Sequence, residues 1–229
     1  MLETFQLIFQ SLFINRHNMK NRILKLAAIS AIIMGATAAH ADGMSTTIAV
    51  KGTIAAPSCT VNMSDDALDY GSISSSLIQT GTATTTLPEV GDTLTVTCDA
   101  QTNLTFSAID NRAGTASVAS TANFGLGNVN GTGKIGYYTL GINRATVDGK
   151  AASVFSTAGT TFTASSQAPV TIGNKQGWAA SDNSQMVGKV FVASLGVTPV
   201  LAGSTAMGGA LSDTLNLDGS VTLNFAFGL

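Results

Sequence analysis

An apolar alternation at each end of this chain constrains it more than any other feature. Ile48, Val50, Gly52 and Ile54 alternate with Ala49, Lys51 and Thr53, while Val221, Leu223, Phe225, Phe227 and Leu229 alternate with Thr222, Asn224, Ala226 and Gly228. A period of two gathers one set of side chains on one face of a sheet, whereas a helix would scatter them around its axis. No segment of useful length after Asp42 carries the helical period, and no internal repeat or linker interrupts the chain. Charged residues make up only 10% of the whole, and Gly, Thr, Ser, Ala and Asn dominate. Low charge, many short β-type segments and few breakers inside them point to an all-β domain. A chain with an apolar strand at each terminus can lend one to a neighbour and receive one in return.

The same pattern predicts strands over 46–55, 59–63, 93–99, 104–109, 136–143, 160–164, 170–173, 186–197, 214–217 and 221–227, punctuated by Gly, Asn, Asp and Ser clusters. A three-residue turn, Asp218-Gly219-Ser220, would set Leu217 opposite Val221 and Leu215 opposite Leu223. A two-residue turn would mix the two faces, so the three-residue turn is the expectation. The spacing predicts a sandwich of about seven strands with Greek-key connections, with surface loops over 111–134 and 174–184.

Residues 1–41 read as an address and not as fold. Met19-Lys20-Asn21-Arg22 and Lys25 form a basic start, Leu24 to Met34 is a short apolar run, and Ala39-His40-Ala41 supplies the small residues of a cleavage site before Asp42. The run is shorter than the roughly 20 residues a membrane span needs. Residues 1–18 place a second apolar patch, Phe5 to Ile14, ahead of the basic one, the reverse of a signal peptide. The expectation is a true start at Met19, with a two-span anchor as the alternative. The 188 residues after Ala41 fit one domain.

Cleavage there removes His17 and His40, the only histidines, so the exported chain has no imidazole for catalysis or metal binding. It keeps seven lysines and arginines against twelve acidic residues, with no basic stripe for nucleic acid. Cys59 and Cys98 are an even pair in an exported chain and are read as one disulfide; a metal site would need further ligands that are lacking. The chain has neither a G-x-S-x-G elbow nor a phosphate-binding glycine loop, and Glu89, beside Pro88, is the only glutamate after cleavage. The expectation is therefore a protein that is not an enzyme and has no cofactor. Asp65, Asp66 and Asp69 read as a solvated turn, lacking the Gly and Glu of a calcium loop. Asp110-Asn111-Arg112 reads as a turn held by side-chain hydrogen bonds. Of Tyr137 and Tyr138 one ring is expected inside and one outside, and Trp178 is expected to pack over the base of a loop.

Thr47 to Ile54, then Pro57 and Cys59-Thr60-Val61, resemble the N-terminal extension and first strand of chaperone–usher pilus subunits. The spacing of Cys59 and Cys98 is similar to the single disulfide of those domains. Thr97 to Ala100, Asp110 to Thr115, Phe124 to Gly127 and Lys134 to Tyr138 resemble a fimbrial-like branch, the beta-fimbriae subunits, whose central domain is often described as of unknown function. The resemblance spans nearly the whole exported chain. It implies an incomplete immunoglobulin-like Greek-key sandwich over 57–229, lacking its last strand, with a donor-strand extension and first strand over 42–56. Ile48, Val50 and Ile54 would be plugs, Gly52 would pass where the groove narrows, and the first plug would be Met44 or Thr46. Val221, Leu223, Phe225 and Phe227 would line the acceptor groove and zip onto a periplasmic chaperone, with the Leu229 carboxylate held by basic chaperone residues. The pattern departs at the next-to-last position, where pilins carry a tyrosine and this chain has Gly228.

The function this implies is a structural subunit of a bacterial surface fimbria. It would polymerise by donor-strand exchange with copies of itself or other pilus subunits, pass through a chaperone and an outer-membrane usher, and support adhesion to a host or surface receptor. Two other classes share parts of the pattern. A small outer-membrane β-barrel has alternating strands and a terminal aromatic, but three Tyr and one Trp are few for two aromatic girdles. A tip adhesin that binds carbohydrate would add a receptor domain for which the chain has little room.

Overall fold

The computed structural model describes residues 46–53, 55–65, 67–211 and 215–229. The expected leader, start and cleavage point (Met19, Ala41, Asp42), Met44, Ile54, Asp66 and Thr214 lie outside the described residues. The chain divides between Gly52 and Thr53 into two units. In the first, residues 46–52 form no strand, and Ile48 and Val50 are 84% and 93% exposed. The paired strand expected over 46–55 is therefore not found among its described residues: alternation equips a segment for a ladder, but a ladder needs a second edge.

The second unit holds β1 (Cys59–Met63), β2 (Thr85–Thr86), β3 (Val90–Thr102), β4 (Leu104–Asp110), β5 (Phe124–Gly125), β6 (Asn128–Val129) and β7 (Gly133–Lys134). It continues with β8 (Gly136–Val147), β9 (Lys150–Ala151), β10 (Ser153–Thr157), β11 (Gln167–Pro169), β12 (Lys175–Ser181), β13 (Ser184–Gln185), β14 (Gly188–Leu201) and β15 (Val221–Phe227). One sheet runs β1-β3-β14-β8-β11 and the other β10-β12-β4-β15, with the short strands pairing at their margins. The ladders are antiparallel, and the result is an all-β sandwich.

Period two is plain in β3, where Asp92, Leu94, Val96 and Cys98 are buried while Gly91, Thr93 and Thr97 are exposed. The core between the sheets is built on Trp178, fully buried on β12. Its ring meets Phe106 of its own sheet edge-on at 6.2 Å and Phe191 of the facing sheet at 5.3 Å, and its Nε1–H donates to the Val192 carbonyl at 2.9 Å. One indole thus joins both sheets with its polar atom satisfied.

Three expectations are corrected here. Residues 174–184 are not a surface loop; most of them form β12, whose Gln176, Gly177, Trp178 and Ala179 are all buried. Both faces of that strand are covered, so no alternation marks it, and Phe155 lies over Gly177 so closely that a Cβ there would stand 2.8 Å from its ring. Residues 111–134 likewise include β5, β6 and the buried Phe124 and Leu126. The expected strands over 160–164, 170–173 and 214–217 are absent among the described residues, and no 215–223 hairpin forms. Leu215 and Leu217 do pack against the core, but from an irregular segment, because β15 takes β4 as its ladder partner.

The sandwich is sealed along one side. The segment 165–169 bridges Val154 of β10 through Ser165, with paired backbone hydrogen bonds of 2.7 and 2.9 Å, and then pairs as β11 with β8 of the other sheet. A single stretch of chain therefore stitches the two sheets together. Outside that seam, Phe162 stacks on Phe155 with ring centres 3.9 Å apart.

Candidate functional site: an open groove between two sheet edges

The opposite side of the sandwich is built differently. Among the described residues, β1 pairs only with β3 and β15 only with β4, so each sheet ends here in a free edge. The register sets Val61 opposite Val96 and Met63 opposite Leu94. Cross-strand neighbours share a face, so Val61 and Met63 point the same way as two fully buried core residues. Even so, they remain 47% and 41% exposed.

Between the two edges lies a groove of about 550 Å³. Val61 and Met63 form one wall, Val221, Leu223 and Phe225 the other, and Leu94, Leu195 and Val197 are among the side chains of the floor. On β15 the burial alternates, with Val221, Leu223 and Phe225 half-buried and Thr222, Asn224 and Ala226 exposed. Phe225 packs on Phe106 with ring centres 5.6 Å apart. A second cavity of about 510 Å³ adjoins the groove, sharing Leu68, Tyr70 and Leu217 with it.

Of the residues singled out from the sequence, Val221, Leu223 and Phe225 are brought together in this groove. Phe227 is 47% exposed and does not line it. Leu229 lies elsewhere: at Gly228 the backbone adopts φ +71°, and Leu229 packs with the Phe155–Phe162 cluster. The Thr105 hydroxyl, donating to the Gly228 carbonyl at 2.7 Å, fixes this exit. Ile48, Val50 and Gly52 belong to the other unit. Cys59 and Cys98 form a disulfide with an S–S distance of 2.08 Å, joining directly opposed residues of β1 and β3 at the end of one groove wall.

The Asp110-Asn111-Arg112 turn does more than turn. The Asp110 carboxylate accepts from the Arg112 and Gly125 N–H groups, both at 2.9 Å. Asn111 Nδ2 donates to the Ser220 and Thr222 hydroxyls at 2.9 and 3.0 Å, and Arg112 pairs with Asp218 at 2.6 Å while its Nε donates to the Asp218 carbonyl. These contacts hold residues 218–222 and so position the start of β15. Tyr138 is buried and Tyr137 half-buried, as the pair was expected to divide. Burial, reinforced by the nearby Asp110 carboxylate, pushes the Tyr138 phenol up.

Asp69 accepts from the Gly71 N–H at 2.8 Å, an Asx turn. Asp92 is the one charged side chain on the groove lining that is nearly fully buried, 4% exposed, and it points inward with Leu94. Its carboxylate accepts from the Thr93 N–H at 2.6 Å and the Asp65 N–H at 3.3 Å. The floor residues Leu94, Leu195 and Val197 lie in strands expected from the sequence, but nothing local to them indicates that they line an open groove. No group of three potential metal ligands occurs among the described residues.

A family model described as a protein of unknown function (DUF1120) matches residues 48–123, from the first exposed apolar residue of the N-terminal segment to the residue before β5. No curated protein matches the chain.

Proposed function

We propose that the chain is a structural subunit of a bacterial surface fimbria, exported through the periplasm and polymerised without catalysis by donor-strand exchange. The observation that carries this reading is the pair Val61 and Met63, turned inward beside fully buried neighbours yet nearly half exposed. A guest strand laid along the free edge of β15 would extend that sheet by one strand. Its backbone would satisfy the edge, and its alternate side chains would fill the groove. The N-terminal segment has the matching chemistry, with Ile48, Val50 and Gly52 in one phase and the first two exposed. On this reading the sandwich is an incomplete immunoglobulin-like fold. A periplasmic chaperone covers the groove first, the replacement takes place at an outer-membrane usher, and Val221, Leu223 and Phe225 receive the donor. Adhesion to a host or surface receptor would be a property of the fibre.

The β-barrel alternative asks for an outward apolar band. The outward positions of β3, β14 and β8 carry Thr93, Thr95, Thr97, Ser194, Thr198, Thr139 and Asn143 beside Val190 and Val192, a mostly polar face that favours the sandwich subunit. The test is assembly in cells, scored by electron microscopy. Deleting residues 42–55, or replacing Gly52 with Leu, should abolish fibres while the subunit still reaches the periplasm. Fibres of normal length from either variant would overturn the proposal.

A further inference from the structure

The geometry points to a charge that sets which strand the groove accepts and in what register: we infer that Lys51 of a second copy pairs with the Asp65–Asp92 end of the groove. This rests on the strand-accepting reading above and adds a recognition element to it. Asp65 and Asp92 both line the groove, where the Asp65 N–H donates to the Asp92 carboxylate at 3.3 Å, while Asp69 lines the adjoining cavity. Among the described residues, no lysine, arginine or histidine lines either cavity. Asp92 is already 4% exposed among Leu94, Leu195 and Met63, and its four acceptor sites receive two backbone N–H groups. A guest strand that closes the groove would remove its remaining water. A carboxylate enclosed without a cation or further donor is strongly disfavoured, so the guest must bring one.

The N-terminal segment carries one charge between Thr46 and Ser58, and it is Lys51. With Ile48, Val50 and Gly52 turned into the groove, Lys51 stands at its rim, next to the glycine that leaves the backbone uncovered. Lys51 is in the opposite phase and leaves the strand on its outer face. A four-carbon stem lets its ammonium fold over the rim to the carboxylate of exposed Asp65, whose N–H is bonded to Asp92. Slipping the guest by two residues keeps apolar side chains inward but moves the ammonium about 7 Å along the strand and breaks the pair. The charge therefore fixes a register that the apolar plugs alone leave loose.

The test is binding of a fluorescent peptide of residues 46–57 to the purified full chain, at concentrations where it sediments as a single copy. Lys51→Glu in the peptide should weaken binding about tenfold or more, and Lys51→Met should weaken it less. Asp65→Lys in the chain, an exposed position, should reverse the preference and favour the Glu peptide. Raising salt should weaken the wild-type pair and leave the Lys51→Met peptide unaffected. Equal binding of all three peptides to the wild-type chain, insensitive to salt, would overturn the charge pairing and leave strand acceptance standing. Failure of every peptide to bind would overturn strand acceptance itself, and the pairing with it.

Discussion

The two long sides of this sandwich are made from similar strands and end differently. At the β10/β11 side, one segment bridges β10 and then joins β8, so both sheets are tied by backbone hydrogen bonds and Val154 is fully buried. At the β1/β15 side no strand among the described residues pairs with either free edge, and inward-facing Val61 and Met63 stay nearly half exposed. What differs is that a segment pairs with both sheets at one side and each sheet ends in a free edge at the other. An apolar interior left open beside two free edges is a liability unless something covers it.

The comparison can be broken most sharply with a pair of matched substitutions. Val154→Asp puts an unpaired charge in the sealed core and should cost about 4 kcal/mol or more, enough to unfold a marginal domain. Leu223→Asp, half-buried on the open side, should cost about 1–2 kcal/mol in the isolated chain, because the carboxylate can reach water through the groove. Denaturant titration of both variants checks this; equal losses would mean the groove is closed in solution.

Replacing Cys59 and Cys98 with Ser should destabilise the chain by about 2–4 kcal/mol. Because, among the described residues, β1 pairs with β3 alone and is joined to it by the disulfide, hydrogen exchange should accelerate first in residues 59–63, with β12 unchanged below the global limit. Uniform acceleration across both sides would show that the two seams unfold as one unit. On the sealed side, Gly177→Ala should cost about 1–3 kcal/mol, since the added methyl meets both the Phe155 ring and the Leu104 carbonyl. A thermal melt at the wild-type midpoint would show that Phe155 is free to move aside.

The smallest effect is acid-dependent. Asp148 accepts from the Val190 and Lys189 N–H groups at 2.8 and 3.0 Å, and these bonds lower its carboxyl pKa, with Lys150 and Lys189 adding to the shift. A group with a depressed folded pKa stabilises the fold above its unfolded value, near 3.9, and the contribution is lost as pH falls through the folded one. Asp148→Asn should flatten the stability profile below about pH 4 and leave the groove's peptide affinity unchanged. A wild-type-like acid limb in the variant would rule Asp148 out as a contributor.

Where side chains alternate against water on one face, the sequence was a good guide. β1, β3, β8, β14 and β15 all fall on expected strands, and the disulfide followed from an even cysteine count. β12 was invisible for the opposite reason: Gln176 and Gly177 look like a loop, yet they are buried on both faces beneath Phe155 and against Ser156 and Thr171, to which the Gln176 amide donates. Leu215 and Leu217 carried a strand's pattern without becoming one, because two leucines two residues apart can enter a core from irregular backbone when no edge is available.

By itself the sequence determined the all-β class, the inward phase of Val221, Leu223 and Phe225 on β15, and an N-terminal segment with a strand's alternation, because each is a periodicity written in neighbouring residues. Only the tertiary structure decided which edges are sealed and which are free. That depends on pairings between segments far apart in the chain, such as Ser165 with Val154 and Val61 with Val96. It also decided that Asp92 lies in the groove, that the Asp110–Arg112 turn holds the start of β15, and that Leu229 leaves the groove's line at Gly228. Local pattern states which face a side chain prefers, but whether a strand is there to cover it is a property of the assembled sheets.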